Sequence, residues 1–94
     1  MALEFEWDPR KAAANLVKHK VSFEEAATVF GNPLGGIVAD PRHSTGEERF
    51  ALLGLSQGRR LLAVMYADRG GAIRIISARL ATRRERRNYE EING

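Results

Sequence analysis

Three apolar runs, separated by links too short for a parallel crossover, constrain this chain more than any other feature. Residues 48–55, 61–67 and 73–79 are strand-length blocks rich in aliphatic side chains, and Gln57-Gly58 and Asp68-Arg69-Gly70-Gly71 stand between them. Glycine-bearing links of this length turn a chain straight back on itself. A parallel crossover needs a dozen residues or more, so the three strands must be antiparallel neighbours. Residues 36–40 read as a further short strand, ahead of the turn-rich loop Asp40-Pro41-Arg42-His43-Ser44-Thr45-Gly46. In the last strand, simple alternation puts Ile73, Ile75, Ser77 and Arg79 on one side and Arg74, Ile76 and Ala78 on the other.

Helical signals flank this meander. Asp8 caps a helix that opens on Pro9, a residue suited to the first helical position. Over residues 9–19 the spacing predicts an apolar side of Ala12, Ala13, Leu16 and Val17, and a polar side of Lys11, Asn15 and Lys18. A break at Lys20-Val21 precedes a second start. Ser22 and Glu25 form a capping box, with Val21 and Ala26 placed as a hydrophobic staple. Gly31 and Pro33 stop that helix. Thr82 and Glu85 repeat the capping-box pattern and begin a third helix running to about residue 91. The order predicts one α+β domain over residues 1–94: two N-terminal helices, a three- to four-stranded antiparallel sheet, and a C-terminal helix.

Charge narrows the function classes. Fifteen Lys and Arg against twelve Asp and Glu give a net charge of only +3, but the excess is concentrated. Arg74, Arg79, Arg83, Arg84, Arg86 and Arg87 fall in one short stretch that contains a single acid, Glu85. A basic end of this density predicts an anionic partner, either RNA phosphate or an acidic protein. The absence of cysteine removes disulfides and thiolate zinc sites, and fits a reducing cytoplasm. No apolar run approaches the roughly 18–20 residues of a membrane span, and residues 1–7 lack the positive start of a signal peptide, so a cytoplasmic location is expected. His19 and His43 lie far apart with no ligand pattern around them, and neither a metal nor a cofactor is expected.

The landmarks together resemble the BrnT family of toxins. The N-terminal half carries Phe5-Glu6-Trp7-Asp8, Lys11-Ala12, Asn15, Lys18-His19 and Val21-Ser22-Phe23-Glu24-Glu25-Ala26 through Val29-Phe30. The middle adds Asp40-Pro41, His43-Ser44 and Glu47-Glu48-Arg49. The run from Ile73 to Arg79, then Ala81-Thr82, Glu85-Arg86 and Tyr89, completes it. The resemblance implies a RelE-like fold, ribonuclease activity, and neutralisation by a BrnA-type antitoxin. That antitoxin would supply a ribbon-helix-helix element, so operator DNA would be bound only through the toxin–antitoxin complex. Where relatives carry His-Thr, this chain has Tyr66-Ala67, so an acid or base role at that place passes to Tyr66 or to nothing.

Metal-free RNA cleavage needs a group to take the 2′-hydroxyl proton, another to protonate the leaving 5′-oxygen, and cations to stabilise the transition state. Arginine suits the last task, since its planar fork donates two parallel hydrogen bonds to phosphate oxygens. Arg79, at the end of a strand and just before a capped helix, is the first candidate; its bland alternative is an ion pair with Glu85. Arg49 is the second. Lys18, His19, Glu48 and Tyr66 are the candidates for acid and base, and nothing in the sequence chooses among them. Arg74, Arg83, Arg86, Arg87 and His43 are expected to bind RNA or the partner. The rival reading is a non-enzymatic module whose basic surface only docks an antitoxin or nucleic acid.

Overall fold

The computed structural model describes residues 3–31, 37–39 and 48–93. Strand β1 (Glu4–Glu6) is followed by helix α1 (Pro9–His19), helix α2 (Phe23–Thr28) and a 3-10 turn (Val29–Gly31). Strands β2 (Ile37–Ala39), β3 (Arg49–Leu55), β4 (Leu61–Asp68) and β5 (Ala72–Leu80) come next, and helix α3 (Arg83–Asn93) ends the chain. The α+β class, the three helices and the three main strands match the expectation. Among the described residues no helix is long and apolar enough to cross a membrane.

The sheet departs from expectation in one respect. It has five strands in the order β1-β5-β4-β3-β2, and β1 runs parallel to β5, with Phe5 beside Ile73. The purely antiparallel sheet is therefore corrected to a mixed one. A three-residue strand of Glu-Phe-Glu carries too little local signal to announce itself, and only the edge of β5 makes it a strand. The remaining pairings are antiparallel.

Both hairpin links use positive φ. Gly70 (φ 61°) and Gly71 (φ 106°) supply the left-handed pair of a two-residue turn, closed by the Arg69 N–H donating to the Ala72 carbonyl at 2.8 Å. Between β3 and β4 the strained place falls to Arg59 (φ 63°), inside a turn closed by the Ser56 N–H on the Arg60 carbonyl at 2.9 Å.

One face of the sheet carries the core. Leu52, Leu62, Val64, Tyr66, Ile75 and Ala78 pack there against Val21, Phe23, Ala26 and Val29 from the α2 region. Phe5, Phe30, Tyr66 and Phe50 form an aromatic chain along this face, with ring centroids 5.3, 4.9 and 5.5 Å apart in succession. Trp7 meets Phe23 edge-on at 5.9 Å. Both capping boxes begin as read: the Glu25 and Glu85 N–H groups donate to Ser22 Oγ (3.0 Å) and Thr82 Oγ1 (3.1 Å).

Helix α1 is rotated from its expected face. Leu16 and Val17 are 49% and 74% exposed, whereas Asn15 is buried at 7%. Where β1 stops, after Glu6 beside Arg74, the edge of β5 continues without a strand partner among the described residues. Asn15 fills that gap: its Nδ2 donates to the Ala78 carbonyl (2.8 Å) and its Oδ1 accepts the Ala78 N–H (3.1 Å). Nδ2 also donates to the Val21 carbonyl at 2.9 Å, tying the exit of α1 to the same point. A polar side chain therefore faces inward because it completes a β-ladder, which overrides hydropathy.

Asn15→Ala is expected to cost about 2–3 kcal/mol, since it leaves buried groups of Ala78 and Val21 without partners. Asn15→Asp restores only the acceptor and should fall close to it, while Leu16→Gln should stay within about 0.5 kcal/mol of wild type. Urea midpoints check all three; an alanine variant as stable as wild type would remove the edge clasp.

Candidate nucleic-acid interface

The second face of the sheet holds the arginines, and a β-bulge assembles them. Between β4 and β5 the register runs Ala63–Arg79, Val64–Ala78, Met65–Ser77, then Tyr66–Ile75, Ala67–Arg74. Ile76 is thus one extra residue in β5. Arg74 and Arg79 are an odd number of residues apart, so strict alternation would send them to opposite sides. The extra residue restores them to one side, which corrects the simple alternation read from the sequence. The doublet Ile75-Ile76, which breaks the period of two, was the signal for it.

Directly paired residues share a face. One row across the sheet reads Arg49, Ala67, Arg74, with Glu6 at its end; another reads Leu53, Ala63, Arg79. Ala63 and Ala67, 3% and 0% exposed, lie between arginines on β3 and β5, with Met65 between them on the same face, beside Ala51 and Ser77. Arg49 and Arg74 stand two strand spacings apart, about 10 Å at the backbone, and the two rows lie about 13 Å apart along β4. The Arg49 Nε atom is shielded from solvent and has no hydrogen-bond partner among the described residues.

Helix α3 borders this face. Its first turn is fixed by a closed capping box, the Thr82 N–H also donating to Glu85 Oε1 at 2.9 Å. Arg79 reaches the same carboxylate end-on, with Nη1 on Oε1 at 2.8 Å and Nη2 on Oε2 at 3.1 Å. The Arg79 hydrogen bonds hold the Glu85 carboxyl down at about 2, against the opposing effect of burial, and raise the Arg79 guanidinium further in return. Arg83, Arg84, Arg86 and Arg87 are all exposed on α3.

The acid–base candidates are spread out. Glu48 is exposed immediately before Arg49. Lys18 is exposed and His19 half-buried, about one turn beyond Asn15 at the C-terminal end of α1. Tyr66 lies on the core side of the sheet, 6% exposed between Phe30 and Phe50. Burial pushes its hydroxyl up, and the Asp68 carboxylate adds to the shift. It is a core aromatic and stands apart from the arginines. His43 and Glu47 lie outside the described residues. A second arginine pair, Arg60 with Glu25, is structural: Arg60 Nε and Nη2 grip the carboxylate side-on, and Nη2 also donates to the Lys20 carbonyl at 3.0 Å. That contact steadies Lys20, the left-handed residue (φ 61°) ending α1.

A family model described as the ribonuclease toxin BrnT of type II toxin–antitoxin systems matches residues 7–85, which include the whole arginine face and Glu85. The chain belongs to the BrnT family. A search of curated proteins gives no match. Among solved structures, the Brucella abortus ribonuclease toxin BrnT, known at 1.1 Å resolution, is similar with a TM-score of 0.64 and 26% identity. The alignment covers 87% of this chain and 100% of that one. The chain is accordingly a ribonuclease toxin of the type II class, and such a toxin has an antitoxin as its partner.

Because the Glu85 carboxyl titrates near 2 when folded and near 4.5 when free, its contribution is complete above about pH 4.5 and disappears as pH falls towards 2. Glu85 keeps 32% of its side chain exposed, so solvent screening limits that contribution to about 1 kcal/mol. Glu85→Gln should lower stability by about that amount at pH 7, and the gap should close between pH 4.5 and 2. Denaturation curves of both proteins across that range test it; a gap that is constant with pH would assign the loss to something other than the carboxylate.

Proposed function

We propose that this chain cleaves RNA without a metal, by attack of the RNA's own 2′-hydroxyl, and that Arg79 and Arg49 hold the phosphate. The observation carrying this reading is the bulge at Ile76, which gathers Arg74 and Arg79 with Arg49 on one face. In the reaction the 2′-oxygen bonds to phosphorus, the bond from phosphorus to the 5′-oxygen breaks, and the 5′-oxygen takes up a proton. The products are a 2′,3′-cyclic phosphate and a 5′-hydroxyl. Arginine forks stabilise the extra negative charge on the phosphoryl oxygens. Glu48 beside Arg49, and Lys18 or His19 at the end of α1, are the groups proposed for proton transfer; Tyr66, closed into the core, is not among them.

The proposed regulator is a BrnA-type ribbon-helix-helix antitoxin acting in the cytoplasm, with operator DNA contacted only through the complex. An acidic or amphipathic segment of it would cover Arg79 and the basic part of α3, competing with RNA for the same charges. The exposure of Arg83, Arg84, Arg86 and Arg87 supports this.

Expression of the chain alone should arrest bacterial growth, and Arg79→Ala should relieve the arrest and lower RNA cleavage by about 10²–10³-fold while the protein stays folded. Cleavage should persist in excess chelator and leave cyclic phosphate ends. Equal toxicity of a folded Arg79→Ala variant, or activity that needs added magnesium, contradicts the reading.

For the antitoxin, Arg83→Glu combined with Arg86→Glu should weaken binding about tenfold or more and flatten its salt dependence. Unchanged affinity across a salt series, in a folded variant, would take α3 out of the interface.

A further inference from the structure

Arginine has five N–H donors, and those of Arg79 are divided unevenly. The end-on pair with Glu85 uses one hydrogen on each Nη, and Nη1 also donates weakly to the Leu80 carbonyl at 3.3 Å. Among the described residues no partner takes the Nε–H or the outer Nη2–H. These two hydrogens are parallel and form the side-on edge of the guanidinium, the edge that Arg60 spends on Glu25. Arg79 therefore has an edge left for a second anion, and Arg60 does not.

We propose that Glu85 is a positioning residue for the ribonuclease reaction: it fixes the Arg79 guanidinium end-on so that the side-on edge is held ready for an RNA phosphate. The inference rests on the reading of Arg79 as a phosphate clamp. Three contacts immobilise the carboxylate itself. Its Oε1 accepts the Thr82 N–H and the Arg79 Nη1–H, and its Oε2 accepts the Arg79 Nη2–H. A flexible arginine would have to be ordered when RNA binds; here the ordering is completed on folding. The negative charge of Glu85 is the opposing consideration, since it could compete with phosphate. It is outweighed locally by Arg83, Arg84, Arg86 and Arg87 on the same helix and by Arg74 on the same face. Competition and positioning predict opposite kinetics.

The experiment is a double-mutant cycle on cleavage of a single-stranded, mixed-sequence, end-labelled RNA by the full-length chain. It uses Arg79→Ala, Glu85→Gln, their combination, Glu85→Asp and Thr82→Ala, each checked for folding at the assay temperature. Glu85→Gln should lower kcat by about ten- to a hundred-fold with KM changed far less. Glu85→Asp, whose carboxylate is set back by one methylene from the two Nη atoms, should fall between it and wild type. The double variant should be no worse than Arg79→Ala alone, because Glu85 acts only through Arg79. Thr82→Ala removes half of the cap without touching the ion pair, so it should reduce stability and leave kcat within about twofold. Nitrogen-15 spectra give a readout that a helix cap would not move: the Arg79 Nη signals should be resolved in wild type and coalesce in Glu85→Gln. If Arg79→Ala costs no activity, the clamp reading fails and this inference with it. If Arg79→Ala is inactive but Glu85→Gln is unaffected, is improved in kcat/KM, or is matched by Thr82→Ala, the clamp stands and Glu85 is not its positioner.

Discussion

The bulge at Ile76 sets the phase of β5 twice over. Ile75 closes the core before it and Ala78 closes the core after it, although they are three positions apart and strict alternation would send them to opposite faces. The same insertion brings Arg74 and Arg79 together on the other side. One unpaired residue thus reconciles two demands on a single strand: continuous apolar packing below, and Arg74 and Arg79 on the same side above.

The phase of β5 also decides how its edge is finished. Ala78 points its N–H and carbonyl away from β4, at a place where β1 has already ended, and Asn15 takes both groups. Without that clasp the buried edge would carry unpaired backbone groups. The clasp in turn orients α1, turning Leu16 and Val17 outwards. Core, edge and candidate site are consequences of one register.

Local chemistry was legible in the sequence, and register was not. The caps at Asp8, Ser22 and Thr82, the Gly70-Gly71 turn and the three long strands all depend on residues within a few positions of one another. The features that had to wait for the fold are long-range. Strand β1 exists only against β5, and Asn15 is buried only because a strand edge 63 residues away needs it. The arginine face required the bulge, whose trace in the sequence, an isoleucine doublet, also fits a strand covered on both sides. Tyr66 could not be assigned from its type, since a core aromatic and a proton donor look alike until Phe30 and Phe50 are seen against its ring.

Helix α3 shows what the basic surface costs the free chain. Four exposed arginines crowd the first turn and a half of a helix whose N-terminus already carries partial positive charge, each disfavoured by a few tenths of a kcal/mol or more. They are exposed, so packing does not account for them. Glu85 offsets part of this from within, closing the cap and holding Arg79, and Glu90 and Glu91 follow later in the helix, but three carboxylates do not balance five guanidinium groups. The residual charge therefore favours whatever anion lies against it. A phosphate chain and an acidic polypeptide answer that need equally well, and either one stabilises the domain by mass action when bound. Under the proposed reading, mutual exclusion between RNA and an acidic antitoxin segment would follow from electrostatics at one surface, with no second conformation of the toxin required.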